Sequence, residues 1–322
     1  MNRWLRYLLL TLTLLGIVSS ILYLESLKAP STPVVAGSSL EFVNPSGFIN
    51  TEPFQIADVI GEKVILIDFW TYSCINCQRT LPYLNEWWKK YEDKGLLIVG
   101  VHTPEFEFEK ERRNVEAAVA QFKVNYPVVM DNDHGTWNTF GNRYWPHVYL
   151  IGLNGEIVYD HIGEGDDDEI ESEIQKALGL TDMGISTPEN TIAVDFNKIN
   201  SPETYFGSDR SSNLSFVTTE SSSIAPNQAY AIGDWTQESE ALVSASTESS
   251  VVFEYNAKNI YMVASADAPT EVEVWLDGKL LQTITVQANM LYTLVEGSDY
   301  GTHTLKIVPK GVGFKLFTFT FG

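Results

Sequence analysis

The sequence predicts an α/β domain over residues 40–182 and an all-β, jelly-roll-like sandwich over residues 201–322, behind an N-terminal transmembrane helix. Three observations predict it. Unbroken Val/Ile/Leu runs alternate with helical patterns up to about residue 180, as in strands covered on both faces. Beyond that point the composition shifts to Ser, Thr, Val and Tyr, with short strand-length segments and no long helical pattern. Near the start, eighteen uncharged, mostly apolar residues run from Tyr7 to Leu24.

As a helix rising about 1.5 Å per residue, Tyr7 to Leu24 just covers a ~30 Å hydrocarbon layer. Glu25-Ser26-Leu27-Lys28 follows directly, and the first small-residue site, Val34-Val35-Ala36, lies well downstream. An uncleaved anchor over residues 1–28 is therefore favoured over a cleaved leader. Arg3 and Arg6 would stay on the cytoplasmic side, placing the rest of the chain on the periplasmic or extracellular side of the cell membrane. Residues 29–39, rich in Pro, Ser, Gly and Val, read as a tether.

In the first domain the expected order is strand Val64–Trp70, helix Gln78–Tyr91, strand Leu96–Val101, charged helix Glu107–Phe122 and strand Val128–Met130. After Pro146, segments His147–Ile151 and Glu156–His161 flank Asn154-Gly155, which favours a tight turn between antiparallel strands. A last helix, Asp167–Leu178, stops at Gly179. Residues 183–200 read as a linker, bracketed by Pro188 and Pro202. The second half offers Ser250–Tyr255, Ile260–Ala264, Glu271–Leu276, Leu280–Val286 and His303–Val308 as strands, with Asp277-Gly278 as a hairpin turn.

Composition narrows the function. With 42 acidic and 21 basic residues the formal charge is −21, which repels phosphate backbones and excludes nucleic acid as a natural partner. Two cysteines are too few for a disulfide-stapled scaffold or an all-cysteine zinc site. They stand together in Cys74-Ile75-Asn76-Cys77, directly after a buried strand and at the opening of a helix. That position offers Cys74 unpaired backbone N–H groups and the positive end of the helix dipole, which favour its thiolate. The spacing lets Cys77 reach Cys74 across the first turn, so the pair can cycle between dithiol and disulfide. Zinc would need ligands from His102, His134, His147, His161 or His303, none paired at ligand spacing. Haem attachment needs a histidine where Gln78 stands, and a structural bridge over so short a loop restrains little chain entropy. Redox exchange, with no cofactor beyond the Cys74–Cys77 pair, is the favoured reading.

Four segments in order, "LIDFWTYSCINCQRTLPYL" (Leu66 to Leu84), "GVHTPEFEFEK" (Gly100 to Lys110), "NRYWPHVYLI" (Asn142 to Ile151) and "HIGEG" (His161 to Gly165), resemble the thioredoxin-like domain of TlpA/DipZ-type thiol:disulfide interchange proteins. "SPETYFG" (Ser201 to Gly207) and "FTFTFG" (Phe317 to Gly322) are similar to the carbohydrate-binding-like β-sandwich that follows it in DipZ-like proteins. The resemblance implies a thioredoxin-like fold, with Cys74 as attacking thiolate, Cys77 as resolving thiol, Asp68 as the buried strand acid and Pro146 as the cis-proline beside the sulfurs. It implies a reductase acting on disulfides of exported proteins. Family members often carry a multi-span membrane domain that brings electrons across the bilayer. Here the apolar N-terminal segment stands in its place, so a membrane electron donor is implied but not named.

An uncharged pocket raises a carboxyl pKa, which would let Asp68 accept the Cys77 proton. Trp70, Tyr72 and Trp145 are candidates for a substrate groove, and at least one of Trp87 and Trp88 is expected in the core. The acidic run Glu164 to Glu173 could suggest calcium, but acids where a helix begins complement its dipole. In the second half Trp235, Tyr261 and Trp275 could stack on sugar rings, giving the C-terminal domain a glycan ligand, or could simply pack. That reading makes the chain a glycan- or protein-binding module with an accessory redox domain.

Overall fold

The computed structural model describes residues 40–322 except 182, 190, 192, 193 and 220–223. The segment Tyr7–Leu24 and the tether lie outside the described residues. Among those described, no helix is long and apolar enough to cross a membrane.

The first domain is built on six strands: β1 (Gly47–Ile49), β2 (Val64–Trp70), β3 (Leu96–His102), β4 (Val128–Met130), β5 (His147–Ile151) and β6 (Ile157–Ile162). Their order is β1-β4-β3-β2-β5-β6. Strands β2, β3 and β4 are mutually parallel, whereas β1 and the β5–β6 hairpin pair antiparallel at either side. Central strand β2 is buried at every residue, Asp68 included, as its run of apolar residues predicts. The hairpin loop is closed by the Gly152 N–H donating to Glu156 O at 2.9 Å, with Gly155 at φ +79°. It is thus wider than the turn expected at Asn154-Gly155.

Helices α1 (Ile75–Tyr91), α2 (Arg112–Gln121), α3 (Gly135–Thr139) and α4 (Asp167–Ala177) complete the domain. Leu84, Trp87 and Tyr91 of α1 pack with Leu66, Leu96 and Ile98 of the sheet in one core, which places Trp87 inside as expected. One expected helix is broken. Residues 107–122 divide into a 3₁₀ turn, Glu107–Lys110, and α2, with Glu111 extended between them at ψ 111°. The cause is Glu109, whose carboxylate turns inward and accepts the Glu105 and Phe106 N–H groups at 2.6 and 2.9 Å. A side chain bonded to its own upstream backbone competes with helix continuation.

The second domain comprises β7 (Thr204–Tyr205), β8 (Leu214–Val217), β9 (Ala229–Ile232), β10 (Trp235–Gln237), β11 (Leu242–Ser244), β12 (Ser250–Ala266), β13 (Thr270–Leu276), β14 (Lys279–Val286), β15 (Met290–Pro309) and β16 (Phe314–Phe321). Where a jelly-roll-like sandwich was expected, all ten strands form a single hydrogen-bonded network. The two strands expected at Ser250–Tyr255 and Ile260–Ala264 are one, β12, shared among β9, β15 and β16. A register shift between Ala257 and Asn259 moves the core-facing set from Val251, Phe253, Tyr255 and Ala257 to Ile260, Met262 and Ala264. Without that change of phase, half of this long strand would turn its apolar side to water. Asp277 and Gly278, at φ +50° and +77°, make the predicted β13–β14 turn.

Gly207, which ends the SPETYFG motif, has no room for a side chain, because a Cβ there would overlap the backbone of Ser239 and Glu240. Backbone cannot step aside as a flexible side chain can. Gly207→Ala should therefore destabilise the β domain by about 1–3 kcal/mol, the range of overpacking substitutions. A lowered urea midpoint would show it; an unchanged midpoint would mean that the chain relaxes there freely.

Candidate active site

Strand β2 delivers the chain to the C-terminal end of the parallel strands, where Thr71 to Cys74 turn into α1. Cys74 is the N-cap of that helix, at φ −78° and ψ 118°. Its sulfur accepts the Cys77 N–H at 3.4 Å, satisfying one of the free amides at a helix start. Cys74 is half-buried and Cys77 is 1% exposed; both are free thiols. Burial, the hydrogen bond to Cys74 and the neighbouring Cys74 and Asp68 charges hold the Cys77 thiol well above its ordinary value. The two sulfurs are thus unequal: one reaches solvent at a helix terminus, and its partner stays protonated below it.

Asp68 lies on β2 between Gly100 of β3 and Val148 of β5. It is 1% exposed, and its Oδ1 has no hydrogen-bond partner. Burial pushes its carboxyl up to about 8 from 3.8. On the other side of the cysteines, the Trp145–Pro146 peptide is cis, and Trp145 O stands 4.0 Å from Cys74 Sγ. Pro146, some seventy positions downstream, is thus brought to Asp68, Cys74 and Cys77.

The three residues expected to line a groove separate. Trp145 stays at the surface beside Cys74, held by its indole N–H donating to Thr103 O at 3.0 Å and by packing on Trp137 with ring centroids 4.2 Å apart. Trp70 and Tyr72 are 0% and 4% exposed and belong to the floor instead. Tyr72 stacks on His102 at 5.7 Å, and Trp70 meets that ring edge-on at 5.2 Å. Burial holds His102 at about 3, hence neutral, and a neutral aromatic layer is what the underside of a buried thiol can tolerate.

Sequence reasoning missed Arg79. One turn into α1, its buried guanidinium bonds both oxygens of Glu164 at 2.5 and 2.6 Å and donates to Asn76 Oδ1 at 2.9 Å. This bidentate pair ties the segment between the cysteines to the HIGEG loop. Glu171, from the same acidic run, likewise turns inward to Lys90 and Tyr91, each at 2.7 Å. A charged residue on a helix reads as solvent-facing, and only the partner supplied by tertiary folding shows otherwise. Of the three aromatics proposed for sugar stacking, Tyr261 is 4% exposed and Trp235 is partly buried against the β core. Trp275 lines a cavity of about 400 Å³ with Glu273, Gly278, Thr304, Lys306 and Val308.

Two family models match, one in each domain: the AhpC/TSA family over residues 41–160, and the thioredoxin-like C-terminal domain over residues 201–322. Thiol-disulfide oxidoreductase YkuV of Bacillus subtilis is 31% identical over 142 residues, 44% of this chain and 95% of YkuV. Protein DipZ of Mycobacterium tuberculosis is 32% identical over 302 residues, 89% of this chain. The chain belongs to the TlpA/DipZ-like thiol:disulfide interchange family. It spans 43% of the length of DipZ. StoA from Bacillus subtilis, a solved structure, superposes with a TM-score of 0.36 at 20% identity, over 42% of this chain and 96% of StoA. Within this TlpA/DipZ-like chain the cysteine pair, Asp68 and the cis Pro146 lie in one contiguous domain, and the second family domain covers all of β7 to β16.

Asp68 also sets a pH dependence of stability. Between 3.8 and about 8 the folded chain keeps a proton that the unfolded chain has released, so this contribution falls as pH rises through that window. Asp68→Asn, which cannot ionise, should exceed the wild type in stability above pH 8 by on the order of a few kcal/mol, with the gap closing towards pH 4. Denaturant titrations at both ends of the range measure it, and parallel curves for the two proteins would refute the assignment.

Proposed function

We propose that the chain is an exported, membrane-anchored thiol–disulfide oxidoreductase that reduces disulfides of exported proteins, with Cys74 attacking and Cys77 resolving. The observation that carries this reading is the inequality of the two sulfurs. Cys74 is solvent-reachable and capped by a backbone amide, while Cys77 is buried and protonated beside Asp68. The apolar segment Tyr7–Leu24 supports the anchor.

In the reductive direction the Cys74 thiolate attacks one sulfur of a substrate disulfide, forming a mixed disulfide and expelling the other sulfur as a thiolate. Cys77 then gives its proton to the Asp68 carboxylate and attacks Cys74 Sγ. The Cys74–Cys77 disulfide forms, the second substrate sulfur departs, and two electrons have passed to the substrate. The backbone beside Pro146 and Trp145 is the edge along which an extended substrate segment can lie. A reducing partner must return two electrons and two protons to the pair, and a membrane dithiol donor fits a tethered domain.

A second reading, glycan binding by the β domain, is supported by the setting of Trp275. Its ring borders an open cavity together with charged and hydroxyl side chains, the combination that takes a sugar ring by stacking and hydrogen bonds.

Two outcomes test the redox reading. Cys77→Ser should accumulate a mixed disulfide with a model substrate and Cys74→Ser should not; equal trapping by both would reverse or abolish the roles. The resolving step should accelerate as pH rises towards about 8, where Asp68 ionises, and Asp68→Asn should slow it by about 10²-fold and remove that inflection. Stopped-flow kinetics that are identical in the two proteins would exclude Asp68 as the base.

A further inference from the structure

The segment between β3 and α2 touches both sides of the cysteine pair and the β domain at once. Glu109, 0% exposed, spends one carboxylate oxygen on the Ser73 hydroxyl at 2.6 Å and the other on the Glu105 and Phe106 N–H groups. Ser73 is the residue immediately before Cys74. At the other end, Thr103 O accepts the Trp145 indole, which fixes the residue before Pro146. The outward side of the same segment is held by the second domain. Phe106 and Phe108 stack on each other and pack on Phe317 of β16 at 5.2 and 4.8 Å. Glu105 accepts from the Tyr205 hydroxyl at 2.8 Å and from Arg210 at 2.9 Å, and the Glu107 N–H donates to Glu240.

Phe317 reaches this contact through a local irregularity. Val263 pairs with Thr318 and Ala264 with Leu316, so Phe317 is the extra residue of a bulge, released from the alternation of β16. It joins Phe106, Val263 and Ala241 in a cluster apart from the main β core. Bulges re-aim a side chain in this way. The redox domain presents only a 3₁₀ turn here, and a short turn has little rigidity of its own.

We infer that Glu109 is a positioning residue through which the β domain holds the redox centre: Phe317, Tyr205 and Arg210 fix the Thr103–Lys110 segment, and Glu109, through Ser73, fixes the start of α1 where Cys74 sits. This rests on the thiol-exchange reading above. The chemistry remains that of the cysteines; the β domain supplies the rigidity that keeps Cys74 at the helix terminus and opposite Trp145 O.

The test uses the full chain with Cys77→Ser, so that alkylation reports Cys74 alone. Phe317→Ala should slow iodoacetamide alkylation by about tenfold, the order expected for groups coupled through one network, and Phe317→Leu should restore most of the rate. Glu109→Gln should give a similar slowing, and adding Phe317→Ala to it should produce no further change. Tyr205→Phe, which leaves the apolar packing intact, should slow the rate in the same direction and keeps the test available if Phe317→Ala does not fold. Wild-type rates in folded Phe317→Ala or in Tyr205→Phe, or slowing factors that multiply in the double variant, would overturn the inference. Insulin reduction by the wild type is measured alongside. Its failure, with the alkylation pattern as expected, would strike the functional reading and leave the coupling standing.

Discussion

The site depends on one constraint: a sulfur must serve as the cap of a helix that begins where a buried strand ends. Cys74 can do so because β2 is covered on both faces and delivers Thr71 to Ser73 to a fixed point, and because α1 is pinned to the same core by Leu84, Trp87 and Tyr91. Free amides at a helix start need acceptors, and the Cys74 sulfur takes the one offered by Cys77. The same turn of helix that exposes Cys74 carries Cys77 inward, which places the two sulfurs in different surroundings.

Beneath the pair lies a layer that holds very little charge. Asp68 is raised by burial, His102 is kept neutral, and Trp70 and Tyr72 pack around that imidazole. A carboxyl in such a place is stabilised as the acid, so it holds its proton more tightly than an exposed carboxyl does. Opposite charges occur only at the margin, where Arg79 and Glu164 satisfy each other with two short bonds. Removing one partner of such a buried pair strands the other, so the clamp on Asn76 is effectively a single unit. The chain thus places this ion pair beside the sulfurs, with Asp68 and the neutral His102 in the layer beneath.

Much of this was legible in the sequence, for reasons that name its residues. Val64–Trp70 is an apolar run interrupted only by Asp68, which suits a doubly covered strand; Cys74 and Cys77 follow it at helical spacing; Asp277-Gly278 is a turn that positive φ explains. What was not legible depends on contacts between distant residues. Glu109 looks like one more charge on a helix until Ser73, sitting 36 positions earlier, claims it. Trp70 and Tyr72 read as groove residues because they neighbour the cysteines, yet both pack inward on the His102 ring. The unity of β12 was hidden because a register shift changes which residues face the core, breaking the period that marks a strand. Phe317 could not be assigned to the domain contact, since a bulge is defined by the partner strand and leaves no mark on its own sequence.

The central claim is that the two sulfurs are held in unequal environments, one open at a helix end and one sealed below it. Brief labelling of the reduced full chain with iodoacetamide at neutral pH, followed by mass mapping of the peptide spanning residues 66–84, addresses it directly. The account predicts label on Cys74 with Cys77 spared until the chain is unfolded. Label on Cys77 first, or on both sulfurs at the same rate, would contradict it.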